Sequence, residues 1–102
     1  MNEQATEKAI LATKPTAPRL TPTDIDGVIV GETFHNFPGT TVTICLLHLK
    51  NGFSVTGESA SVSLENFNAE IGRTIARTRA REKIWALEGY RLKQELSIGH
   101  RS

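Results

Sequence analysis

TVTICLLHLKNGFSVTGE, residues 41–58, decides the fold. An aliphatic, β-branched run meets Asn51-Gly52, and a second β-prone run, FSVTGE, follows. Asn-Gly between two such runs reads as an antiparallel hairpin, because a tight turn needs positive φ at its centre. If Asn51 and Gly52 are the two loop residues, Lys50 pairs with Phe53, His48 with Val55 and Leu46 with Gly57. Along the first strand Val42, Ile44, Leu46 and His48 point one way, and Thr43, Cys45, Leu47 and Leu49 the other. Both faces are largely apolar. A lone hairpin is marginal in water, so each face needs a cover. A helical pattern starting near Glu65 supplies one. The other falls to a short N-terminal helix or to a second subunit, so a homo-oligomer is expected. His48, opposite Val55 in this register, reads as a partly buried, hydrogen-bonded histidine rather than a ligand or base.

Outward from the hairpin toward the N-terminus, GETFHNFPGTT (31–41) reads as a connection. Phe34, His35 and Phe37 there can rim a ligand or tuck under the sheet. Before it, Thr21 is a good N-cap, Pro22 suits the first helical position and Asp24 the positive end of the helix. A short helix from Pro22 to about Gly31 would carry Ile25, Val28 and Ile29 on one face. Residues 1–20 admit a turn or two of helix but contain Pro15 and Pro18, and read as a flexible leader.

On the other side, Ser63 is the expected N-cap of the long helix, with Glu65 near its positive end. Leu64, Phe67, Ile71 and Ile75 form the face expected to cover the hairpin, extended by Ala80, Ile84 and Leu87. Glu88-Gly89-Tyr90 is expected to bend or interrupt the helix. RLKQEL adds a further turn or two, and 97–102 reads as a frayed tail. The chain is thus one α+β domain over 21–96: a short helix, an antiparallel hairpin and a long helix packed on it.

Size and composition fit this. The chain has 102 residues, 38% hydrophobic and 23% charged, enough for one modest core. A single cysteine, Cys45, excludes an internal disulfide and a multi-cysteine zinc site; inside a strand it reads as a small buried hydrophobe. No run reaches the length of a membrane span, and no signal pattern opens the chain, which points to a reducing, cytosolic setting. The net charge of +1 is unevenly spread. Residues 21–66 hold Asp24, Asp26, Glu32, Glu58 and Glu65 against Lys50 alone, whereas 67–95 are basic. That asymmetry suits internal pairing, subunit pairing or an anionic ligand.

No phosphate-binding loop, dinucleotide fingerprint, zinc-protease motif or nucleophile elbow is present. His35, His48 and His100 lack metal-ligand spacing. No catalytic residue, metal or cofactor is expected. The one feature with directional chemistry is arginine at Arg73, Arg77 and Arg81, recurring every four residues, with Arg79 and Lys83 as a second basic pair. Such a row can grip phosphate, with Trp85 or Tyr90 stacking on a base. It can equally be a solvated face paired with carboxylates such as Glu70.

Three fragments, LKNGFSVTGESA, ENFNAEIGRTIAR and IWALEGYRL, resemble a family of small bacteriophage proteins. The family is named after gene products forty-nine and sixty-six of two enterobacterial phages. The resemblance spans about residues 17–96. Ala86 departs from the family pattern, which places proline after the tryptophan. The resemblance implies an accessory phage product acting in the host cytoplasm and carries over no catalytic residues. The expected function is a non-enzymatic counter-defence module that sequesters a phosphate-bearing nucleotide, held by Arg73, Arg77 and Arg81 with Phe37, His35, Trp85 or Tyr90 nearby. Inhibition of a host protein and weak nucleic-acid binding are the alternatives.

Overall fold

The turn at Asn51-Gly52 forms, with a three-residue loop. In the computed structural model, which describes residues 3–13 and 17–99, the first hairpin strand is β2 (Thr43–Leu49) and the second is β3 (Ser54–Ser59). The Leu49 N–H donates to the Phe53 carbonyl at 2.9 Å, and the Gly52 N–H to the Leu49 carbonyl at 3.0 Å. Gly52 has φ 90°, the left-handed position that follows a type I turn and that glycine adopts without strain. Asn51 Oδ1 accepts from the Phe53 N–H at 3.0 Å. The register is therefore one residue off the two-residue expectation: His48 faces Ser54, Leu47 faces Val55 and Leu46 faces Thr56. Burial sets it. A slip of one would turn Val55 away from the core. As paired, Val55, Gly57 and Ser59 share the buried face with Thr43, Cys45, Leu47 and Leu49.

A second correction lies upstream. The connection expected at 31–41 is mostly a strand, β1 (Ile29–Asn36), antiparallel to β2, so the sheet has three strands in the order β1-β2-β3. The short helix is α2 (Pro22–Gly27), ending before the expected Gly31. Its capping box is complete: the Thr21 hydroxyl accepts from the Asp24 N–H, and the Asp24 carboxylate from the Thr21 N–H. Beyond it β-branched Ile29, Val30 and Thr33 with Phe34 fill the otherwise open edge of β2, and Phe34 packs against the core. The actual β1–β2 loop is short, closed by the Thr40 N–H donating to the Phe37 carbonyl at 3.1 Å.

The long helix, α3 (Ala69–Gly99), has 31 residues and spans about 46 Å at 1.5 Å per residue. Ser63 caps a 3₁₀ turn, Leu64–Asn66, rather than α3 itself. Asn68 caps α3, its Oδ1 accepting from the Ile71 N–H at 3.0 Å. The face on the sheet is Gly72, Ala76, Ala80 and Ile84. Of the expected face, Ala80 and Ile84 do cover the sheet, whereas Leu64 and Ile71 are turned out, 60% and 57% exposed. Gly57 explains the exchange. A Cβ there would overlap the backbone of Ala76 and Ala80 and lie 2.8 Å from the Arg79 carbonyl carbon. At Gly57 helix and sheet approach until only small residues, Ala76 and Ala80, fit opposite it.

The core joins Ile25 of α2, Cys45, Leu47, Leu49 and Val55 of the sheet, and Ala76, Ala80 and Ile84 of α3. Ile25, Leu47 and Ile84 are fully buried, each contributing about 1.5–3 kcal/mol. Cys45 is also fully buried; burial, then the negative charge of Glu32, pushes its thiol above the ordinary range. α2 shares this core and does not cover the far sheet face, where Val42, Ile44 and Leu46 stay half-buried. His48 there is exposed, sharing a 3.0 Å hydrogen bond with Thr33 Oγ1.

α3 is not interrupted at Gly89. Arg91 donates to Glu88 at 2.8 Å and to Glu95 at 2.6 Å, tying the turns on both sides, and Ala86 keeps the backbone N–H that proline would remove. A further helix, α1 (Glu3–Ala12), forms within the expected leader and buries none of its residues. Residues 1–2 and 14–16 of that leader, and 100–102 of the expected tail, lie outside the described residues.

Candidate functional site

Arg73, Arg77 and Arg81 lie on one face of α3, four residues apart. Their surroundings differ sharply. Arg73 is exposed and makes no side-chain hydrogen bond or ion pair among the described residues. Arg77 Nε donates to Glu32 Oε2 at 2.7 Å, with the two side chains 38% and 43% exposed. Water screens such a pair, so it contributes little. Glu32 reaches it from β1, the segment expected to be a loop. Glu70, the expected partner, is not used.

Arg81 is the most enclosed of the three, with 14% of its side chain exposed. α2 holds it from one side: Nε donates to Asp26 Oδ1 at 2.8 Å and Nη2 to the Pro22 carbonyl at 3.2 Å. Nη1 donates to Glu3 Oε2, brought in by α1. Trp85, one turn further along α3, donates its indole N–H to that same oxygen at 3.3 Å. Burial works against the guanidinium charge, but the hydrogen bonds it donates to Glu3 and Asp26 outweigh it and raise the Arg81 pKa. α1 has a second polar anchor, a two-pronged pair in which Arg19 donates to both Glu7 oxygens at 2.9 and 2.7 Å. That hydrogen bond holds the Glu7 carboxyl below its usual range.

The other expected site residues are scattered. Trp85 is half-buried against the core. Tyr90 is 76% exposed and lies about 26 Å along α3 from Arg73 at helical rise. His35 and Phe37, both exposed near the end of β1, contact each other edge to face at 4.6 Å. The structure therefore joins Arg81 to Trp85 and His35 to Phe37, and leaves Tyr90 apart. A cleft of about 390 Å³ has the volume of a small-molecule site. It is lined by Arg19, Asp24, Lys50, Glu88 and Arg91 among others, and by none of the expected residues. Glu3, Asp26 and Glu32 are the site residues the sequence reading missed. For Asp26 and Glu32 the acidic middle facing a basic last third was the available signal; Glu3 had none.

Among the described residues no group of histidine, cysteine or carboxylate side chains could hold a metal ion, and no helix is long and apolar enough to cross a membrane. A three-stranded antiparallel sheet covered by one long helix, with an arginine row largely paired to its own carboxylates, defines a small α+β protein of helix-on-sheet type. The chain belongs to the phage protein (N4 Gp49/phage Sf6 gene 66) family, whose model matches residues 20–96. It is thus a phage accessory protein. No curated protein and no solved structure matches it.

Proposed function

We propose that this accessory protein is non-enzymatic and acts in the host cytoplasm by binding a host protein. The observation that carries the reading is the state of the arginine row. Two of its three guanidiniums are already neutralised by Glu32, Asp26 and Glu3. A phosphate ligand would have to displace these carboxylates, whereas a protein surface need not. The apolar side chains turned outward beside α3, Val62, Leu64, Ile71 and Ile75, suit the same reading. So does self-association over the half-exposed Ile44 and Leu46.

A second reading keeps one specific observation on its side. Among the described residues Arg73 is unpaired, one turn from Arg77, whose one partner there is an exposed carboxylate. Together they could grip the phosphate of a nucleotide signal, as a counter-defence sponge requires. Calorimetric titration with mono-, di- and cyclic dinucleotides separates the two readings. The host-protein reading expects no saturable heat. Saturable binding that disappears in a folded Arg73→Ala, Arg77→Ala variant would replace it with nucleotide sequestration. Binding that falls steeply with salt and needs a long polynucleotide would instead indicate a nucleic-acid partner.

A further inference from the structure

Arg81 and Trp85 form a notch in which two N–H donors converge. Asp26 and the Pro22 carbonyl engage Nε and Nη2 and fix the guanidinium plane, so Nη1 is the nitrogen that α2 leaves unused. The Trp85 indole N–H, one turn away, converges on the same point. Both donors meet on a single oxygen, Oε2 of Glu3. The group filling the notch comes from a helix with a light hold on the rest of the chain. No residue of α1 is fully buried, and among its polar anchors are this contact and the Glu7–Arg19 pair.

We infer that the notch is a receptor for a carboxylate carried on a helix of a protein partner, and that α1 is its displaceable intramolecular occupant. Charge selects the carboxylate. Asp26 already balances Arg81, so one further negative charge is tolerated, as Glu3 demonstrates, whereas a dianionic phosphate would add repulsion from Asp26. A partner helix bearing Glu or Asp reproduces what Glu3 does. Tethering gives α1 a high effective concentration, so a partner must engage additional surface to displace it.

This inference rests on the protein-binding reading for the partner's class only. The chain has one tryptophan, so its indole N–H is a single, assignable proton–nitrogen resonance that reports the notch directly. The full-length Glu3→Ala, Glu7→Ala variant should keep its fold, since both side chains lie on α1, which contributes no residue to the hydrophobic core. Its Trp85 resonance should move away from the wild-type position. An acetylated peptide of residues 3–12, EQATEKAILA, should return it, at a concentration at least about tenfold below that needed to perturb wild type. The same peptide with Gln in place of Glu3 should not, and Arg81→Lys in the variant background should weaken the response. An unmoved resonance in the double variant would overturn the inference. So would a moved resonance that the peptide cannot return. Recovery with inorganic phosphate but not peptide would make the notch a small-anion site and overturn the carboxylate assignment. The nucleotide titration can succeed or fail without affecting this readout, so the two claims fail separately.

Discussion

Arg77 and Arg81 are identical side chains one helical turn apart, yet the fold uses them differently. The pair Arg77 makes with Glu32 is open to water, both side chains being about two-fifths exposed; Arg81 lies beneath α2 and α1, with most of its side chain covered. Replacing Arg77 by alanine should therefore change stability by about 0.2–1 kcal/mol, less at high salt. Replacing Arg81 should cost about 1–3 kcal/mol, because its stem packs as well as pairs. That stays below the cost of breaking a fully buried pair, since the abandoned Asp26 is 59% exposed and can rehydrate. Urea denaturation of the two variants checks the ranking; equal losses would contradict it. The sequence showed that acidic and basic residues were segregated and that internal pairing was one outcome. It did not show the partners, because Glu32 lies 45 positions from Arg77 and Asp26 lies 55 from Arg81. Local helix spacing pointed to Glu70 instead.

Elements were legible where chemistry is local and obscure where the fold chooses between local options. Asn51-Gly52 announced the hairpin, and Thr21-Pro22-Thr23-Asp24 announced α2. Loop length escaped because one residue more or less is decided by which face Val55 must take. β1 escaped because Ile25, Val28 and Ile29 continue a helical spacing, while its core-side positions Glu32 and Asn36 are polar and hide the alternation of a strand. Of the contact face of α3, Ala80 and Ile84 were legible, whereas Gly72 and Ala76 escaped because small residues carry no hydrophobic signal, although Ala76 and Ala80 are what fit against Gly57. Two glycine replacements test that geometry. Gly57→Ala should cost about 1–3 kcal/mol or prevent folding, since the helix backbone must move. Gly89→Ala, where a new Cβ meets nothing within 4 Å, should stabilise α3 by about 0.5–1 kcal/mol. Matching urea midpoints for the two would show that helix and sheet are not held together at Gly57.

For the whole molecule, the proposal of a protein partner rests on the arginine row being paired to the chain's own carboxylates. The α+β class and the phage family were both readable from the chain, the family from fragments such as LKNGFSVTGESA and IWALEGYRL. The site was not, because an arginine row looks the same in sequence whether a ligand or the protein's own carboxylates neutralise it. β1 and α2 supply two of those carboxylates, Glu32 and Asp26, and α1 the third. The most direct test is native mass spectrometry of the protein recovered gently from infected cells. Binding of a host protein predicts species free of small-molecule adducts, alone or self-associated, that gain mass only as a complex with a defined host protein. A few hundred daltons of nucleotide retained at each site would contradict that account and return Arg73 and Arg77 to the role of phosphate ligands.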